Sequence, residues 1–262
     1  MTGQQPTDDG RGTGETGTTP VAAPEGPNAP AAPTSPPSAE VVFGARVALA
    51  QRFAAVLADT GVSHGLIGPR EVPILWDRHI LNCAVAHEAF PPGTTVVDVG
   101  SGAGLPGLAI AIARPDLQLH LVEPMLRRTT WLSTTIEDLG LDNATVHRGR
   151  AEEFSGVLSV PYATARAVAR IDKLARWTFP LLAEGGTLVA LKGGSAAEEL
   201  EAEEKTLRRL GMTSSCVVSY GADLLPVATT TLQVTVGARP MAGRAAKHAD
   251  RRTAKRRGNS RS

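Results

Sequence analysis

Cysteine is nearly absent, with only Cys83 and Cys216 among 262 residues. The two form no CxxC pair and no spacing suited to zinc, so neither a metal site nor a disulfide framework is expected, and a reducing cytosol fits. No apolar run approaches the ~20 residues that a membrane span needs. The N-terminus lacks the basic-then-apolar order of a signal peptide, and with Arg11 as its only base it is unlike an Arg-rich transit peptide. No internal repeat suggests a solenoid. These absences predict a soluble cytoplasmic protein without metal; the chain is expected to be a monomer, although oligomeric state is not legible in the sequence.

Net charge is also small, +1 over the whole chain, but it is unevenly placed. From Arg244 to Ser262 there are eight Lys/Arg and one acid, Asp250, so this tail carries +7 and the preceding residues sum to −6. Hydrophobic residues make up 42%, enough for one well-packed domain. Residues 1–37 are Pro, Gly, Thr and Ala with little that is large and apolar, and cannot offset their ordering entropy by burial. The expected organisation is a disordered head (1–37), one domain with an N-terminal helical section (38–238) and a disordered basic tail (239–262).

Ser38 reads as a helix N-cap, followed by Leu49, Phe53, Val56 and Leu57 at helical spacing, with Thr60-Gly61 ending the run. A second helix is predicted over 73–89, closed by Pro91-Pro92-Gly93. Strands then alternate with helices. Strands are predicted over 94–99, 117–122, 144–147, 162–167 and 187–191. Helices are predicted over 106–113, 125–139, 171–182 and 196–210. Residues 217–220 and 231–236 read as a closing antiparallel pair. Such alternation implies right-handed crossovers and a doubly wound, mostly parallel α/β sheet.

The central motif runs from Val96 to Gly107, VVDVGSGAGLPG: a buried strand, a glycine loop, then a helix. Glycines let backbone N–H groups approach a ligand closely. Two ligands compete. Gly102, Gly104 and Gly107 satisfy the dinucleotide pattern GxGxxG, with Glu123 available for a ribose. Asp98 with Gly100, Gly102 and Gly104 reads instead as a methyltransferase loop. There Asp98 orients the loop and the amino-acid end of S-adenosylmethionine, Glu123 accepts from the ribose hydroxyls, and Ala151-Glu152 lies near the adenine. Acids after strands one, two and three, and a long helical prelude, favour the methyltransferase.

The acceptor is narrowed by what is missing. Pyrimidine C5 enzymes need a cysteine nucleophile beside a proline, and neither cysteine is so placed. Exocyclic-amine enzymes carry an Asn/Asp-Pro-Pro-aromatic loop after strand four, where this chain reads Thr164-Ala165-Arg166-Ala167. A ring nitrogen with a free lone pair needs neither device, which leans toward guanine N7.

The stretch 98–107, with Arg114-Pro115-Asp116, Glu123-Pro124, Arg127-Arg128 and Arg150-Ala151-Glu152-Glu153, resembles the bacterial small-subunit rRNA guanine-N7 methyltransferases of the glucose-inhibited division protein B (RsmG) family. Trp76 to Leu81 resembles its RHIL element, Ala165-Arg166-Ala167 its SRA element and Ala190 to Gly193 its ALKG element. The resemblance spans roughly residues 40–238. It implies the class I, Rossmann-like methyltransferase fold with a seven-stranded sheet and N-terminal helices. The implied cofactor is S-adenosylmethionine, and Gly100, Leu105, Ala151, Glu152 and Arg166 would line its site. The implied substrate is guanine 527 in the 530 loop of 16S rRNA, presented on free rRNA or a small-subunit precursor. Asn82 stands where many members carry Asp, and Ala165 where many carry Ser. His79, Arg166 and Lys192 are the candidates for contacting cofactor, guanine or RNA phosphate. Arg127 and Arg128 read as a solvated face, and Trp76 and Trp131 as core anchors. A small-molecule methyltransferase and a non-catalytic RNA-binding module on the same fold are the alternatives.

Overall fold

The computed structural model describes residues 31–237. The basic tail and all but the last residues of the head lie outside the described residues.

Seven strands form one sheet in the order β3-β2-β1-β4-β5-β7-β6. They are β1 (Thr95–Val99), β2 (Gln118–Glu123), β3 (Ala144–Arg148), β4 (Val160–Arg166), β5 (Leu182–Lys192), β6 (Met212–Tyr220) and β7 (Thr229–Val236). β1 to β5 are parallel, and β7 runs antiparallel between β5 and β6. The two-residue period divides the strands between two cores. Val96, Leu119, Leu121, Val189 and Leu191 face one; Val97, Val99, Val122, Ala163, Leu188 and Ala190 face the other. The first core is covered by α1 (Pro37–Phe43), α2 (Val47–Val56), α3 (Leu81–Ala84), α4 (Gly107–Ala113) and α5 (Leu126–Leu139); the second by α6 (Ile171–Thr178) and α7 (Ala196–Leu210). The doubly wound, mostly parallel sheet expected from the sequence is therefore present. The chain reverses its winding between β1 and β4, and ligands of open α/β sheets bind beyond the carboxyl ends of the strands at such a switch point.

Several boundaries differ from the sequence reading. The first helix starts at Pro37 with Pro36, not Ser38, as its cap, and it breaks at Gly44, whose φ is +50°. A π-turn, Leu57–Gly61, follows α2. The second helical stretch is a series of tight and wide turns around α3, with Pro69–Ile74 a 3-10 helix and Trp76–Ile80 a π-turn. β5 begins at Leu182, five residues early, because Gly185-Gly186 lies inside the strand as an irregularity rather than before it. Between Val160↔Leu182 and Tyr162↔Thr187 the register with β4 shifts accordingly.

The absence of a span-length apolar run also needs correction. Pro37–Gly61 is 25 residues long, and its most apolar 18 residues have a mean hydropathy of 1.5, enough by length and composition to cross a membrane. Glu40, Arg46, Arg52 and Asp59 interrupt the run to the eye, but alanines, valines and leucines dominate its average. In the fold, Phe43, Phe53 and Leu57 of this segment are buried in the first core. Trp76 and Trp131 are anchors as expected: both are buried, and their indole N–H groups donate to the Pro33 carbonyl (2.9 Å) and the Thr60 hydroxyl (3.0 Å).

Candidate active site

β1 points Asp98 at α4, opposite Val97 and Val99, because successive strand residues alternate faces. Its carboxylate Oδ2 accepts from the Gly107 amide at 3.0 Å, while the Ser101 hydroxyl donates to the Asp98 carbonyl at 3.0 Å. Asp98 is fully buried and Oδ1 has no hydrogen-bond partner. Burial pushes its carboxyl up to about 7, against the pull of the Ser101 and Gly107 hydrogen bonds. Asp98 thus ties the glycine loop to the strand and lines neither cavity described below.

The glycines serve different ends. A Cβ on Gly107 would collide with Leu121 Cδ2, so this glycine lets α4 pack on β2. A Cβ on Gly104 would meet the Leu108 side chain. Only at Gly102, with φ +53°, does the loop face open space, the nearest atom being the Gly100 carbonyl at 3.8 Å.

A first cavity of about 560 Å³ opens beside the loop, lined by Gly100, Glu123, Met125, Arg128, Ala151, Glu152, Val168 and Trp177 among others. The sequence places Gly100, Glu123, Ala151 and Glu152 at one site, and here they meet. Glu123 ends β2 and is buried. Its Oε2 accepts from the Gly102 amide (3.1 Å) and its Oε1 from the Met125 amide (3.0 Å). Each oxygen keeps a second lone pair. Arg128 reaches Glu123 Oε2 at 3.7 Å, and its own Nε is buried without a partner. Arg128 is therefore part of this wall and not the solvated face expected of it. Leu105 is buried in the first core and lines neither cavity.

A second cavity of about 750 Å³ adjoins the first, its walls including Ile74, Asp77, Arg78, Asn82, Arg166, Lys192, Gly193 and Thr230. Arg166, at the end of β4, belongs here and does not line the first cavity. Its guanidinium is fixed from behind: Nη1 donates to the Cys83 sulfur (3.1 Å), Nη2 to the Arg78 carbonyl (2.9 Å) and to His79 Nδ1 (3.0 Å). His79 Nε2 in turn contacts Glu71 Oε2 at 2.7 Å. Burial lowers the His79 pKa, and the neutral Nε2–H tautomer satisfies both contacts. His79 lines neither cavity and holds Arg166. Burial also pushes the Cys83 thiol up to about 11, so it is no nucleophile.

Lys192, at the end of β5, donates to the Ala169 carbonyl (3.0 Å) and to Glu199 Oε1 (2.9 Å). The cavities share Val168, which lines both, and its Cγ1 lies 2.5 Å from where a Cβ on Gly100 would sit. The preceding Ala167 has a left-handed φ of +55°. Val168 and Trp177 carry no sequence signal as site residues, and Asp77 and Arg128 carry only their place in the motifs that bear the resemblance. Among the described residues, no group of three or more His, Cys, Asp or Glu is placed to hold a metal.

The family model for rRNA small subunit methyltransferase G matches residues 46–225. A Ribosomal RNA small subunit methyltransferase G of Pseudarthrobacter chlorophenolicus is 51% identical over 199 residues, covering 76% of this chain and 92% of the relative. Its counterpart in Streptomyces coelicolor is 52% identical over 200 residues, covering 76% and 84%. Among solved structures, the O-methyltransferase TomG of Streptomyces achromogenes aligns with a TM-score of 0.44 at 14% identity, over 61% of this chain and 79% of that one. On the family model and these relatives, the chain belongs to the rRNA small subunit methyltransferase G family.

Proposed function

We propose that this chain transfers the methyl group of S-adenosylmethionine to N7 of a guanine in the 530 loop of 16S rRNA, in the cytoplasm and as a single chain. The observation that carries the reading is the pair of cavities meeting at Val168 beyond the carboxyl ends of β1 and β4. The first cavity fits the cofactor. Glu123 has a free lone pair on each oxygen to accept two vicinal hydroxyls, Gly100 brings the loop backbone to the cavity wall, and Trp177 offers an aromatic wall. Gly100, Glu123, Ala151 and Glu152 would hold the cofactor, with Asp98, Gly104 and Leu105 shaping the loop behind them. When bound, S-adenosylmethionine supplies an electrophilic methyl on a sulfonium.

The second cavity would take the guanine. Its N7 lone pair is free at neutral pH, so the protein has to align the acceptor rather than remove a proton from it. The side chains agree with that role. Cys83 is a buried thiol, and His79 has both ring nitrogens engaged. Arg166, locked by three partners, presents a fixed positive wall for RNA. Positive charge passes into the purine ring on transfer, and the Asp77 carboxylate on the cavity wall is placed to follow it. The substrate is free 16S rRNA or a small-subunit precursor. Mapping N7-methylguanine in 16S rRNA from cells with and without the chain tests this. Unaltered methylation in its absence would refute it.

A further inference from the structure

Three consecutive residues behind Val168 are each tethered by a side chain from another element. The Ala169 carbonyl accepts from Lys192 Nζ at 3.0 Å. Arg170 Nη2 donates to Glu203 Oε1 at 2.7 Å. The Ile171 amide donates to Glu199 Oε1 at 2.6 Å. Lys192 and Glu199 also bind each other at 2.9 Å, with side chains only 13% and 16% exposed. β5 and α7 therefore hold residues 169–171 from the rear, while Val168 bears on Gly100 at the front.

We infer that Lys192 and Glu199 are positioning residues that clamp the Ala167–Ile171 segment as the rigid wall between the donor and acceptor cavities. This rests on the assignment of those two cavities under the proposed function. Three features point the same way. The wall is thin, since Val168 lines both cavities. It carries left-handed alanine backbone at Ala167, which is strained for a residue with a Cβ and persists only where surroundings over-determine it. And the tethers through Lys192 and Glu199 use charged, largely buried groups, whose hydrogen bonds are stronger than neutral ones, whereas the Arg170–Glu203 pair is exposed on its arginine side. In-line methyl transfer is sensitive to misplacement on the ångström scale, so a wall fixed at both ends sets how donor and acceptor meet. Lys192 has its charge spent inside the protein; it is not the RNA phosphate contact that its place on the ligand-binding edge suggests.

The test compares the full-length chain with Lys192→Met, Glu199→Leu and Glu199→Gln. Amide hydrogen exchange over residues 167–172 should speed up at least tenfold in Glu199→Leu and in Lys192→Met, with amides of β1 and β6 unchanged as the control for folding. Glu199→Gln keeps an oxygen for the Ile171 amide and should exchange near the wild-type rate. With saturating S-adenosylmethionine and 16S rRNA particles, Lys192→Met should lose at least tenfold in single-turnover rate while the salt dependence of RNA affinity keeps its slope. A slope shallower by about 0.7–0.9 with the saturated rate intact would make Lys192 a phosphate contact and overturn the inference. Unchanged exchange over 167–172 in both Lys192→Met and Glu199→Leu would overturn it too. Failure of the wild-type chain to methylate rRNA would instead refute the proposed function, and the exchange data would still decide whether the clamp exists.

Discussion

The Asp98 carboxylate and the Gly107 amide, nine residues apart, meet at 3.0 Å and close the glycine loop on itself. Loop and helix start are thus one unit, and its glycines should separate by substitution. Gly107→Ala drives a Cβ into Leu121 Cδ2 and to within 2.6 Å of Asp98 Oδ2. It should cost about 1–3 kcal/mol of stability by overpacking, seen as a drop of several degrees in Tm. Gly102→Ala meets no such neighbour; it should cost only the left-handed strain of about 1 kcal/mol, yet weaken S-adenosylmethionine binding in calorimetry. Equal loss of stability in both would contradict this division.

Stability should fall as pH rises through the window set by Asp98. Its folded pKa is raised, to about 7 from 3.8, so between these values the folded state binds the proton that the unfolded state has released. Stability is therefore highest below the unfolded value, declines from about pH 4 to 7 and levels above. Asp98→Asn keeps an oxygen for the Gly107 amide and cannot ionise. Relative to it, the wild type should lose stability across that window in pH-dependent thermal denaturation; parallel curves would assign the buried carboxyl a different state.

Glu123→Ala removes the acceptor of both the Gly102 and Met125 amides and the lone pairs assigned to the ribose. S-adenosylmethionine should bind at least tenfold more weakly, about 1.4 kcal/mol or more, while RNA affinity is unchanged. An unaltered Kd would remove Glu123 from the cofactor site.

Cys83→Ser should retain activity within about threefold, since a hydroxyl can accept from Arg166 Nη1 as the sulfur does. Cys216, exposed on β6, should tolerate serine as well. The single-turnover rate should change little between about pH 6.5 and 9, because N7 needs no proton removed. A rate rising tenfold per pH unit, or a trapped protein–RNA adduct, would mean that the acceptor atom is another.

Deleting residues 244–262, which carry +7, should weaken RNA binding and flatten its dependence on salt, because fewer counterions are released on binding. Cofactor affinity should stay the same. An identical salt slope would show that the tail makes no phosphate contacts.

The order of strands and helices is legible in the sequence because alternation of period two and period 3.6 is local. So is the grouping of Gly100, Glu123, Ala151 and Glu152, since residues after successive parallel strands converge on one edge. What escapes a sequence reading depends on distant partners. His79 is a candidate through the resemblance of its motif, and Lys192 because its strand ends at that edge. Glu71 and Arg166 take the histidine's two nitrogens, and Ala169 and Glu199 engage the lysine's ammonium, although Lys192 still lines the second cavity. Val168 looks like an ordinary valine because its contact with Gly100 spans 68 residues. Gly185-Gly186 reads as a turn, although β4 carries the pairing across it with a register shift.

The guanidinium of Arg166 reaches back to Cys83, Arg78 and His79, all in the helical prelude, while the first cavity is lined only by residues from Val99 to Trp177. The two cavities thus share the segment after β4, but of the two only the second takes walls from the helical prelude. A fragment beginning at β1 would keep every residue that lines the first cavity but lose Ile74, Asp77, Arg78 and Asn82 from the second. Exchanging the prelude and the loop before β7 for those of another enzyme would reshape the second cavity and leave every residue that lines the first in place.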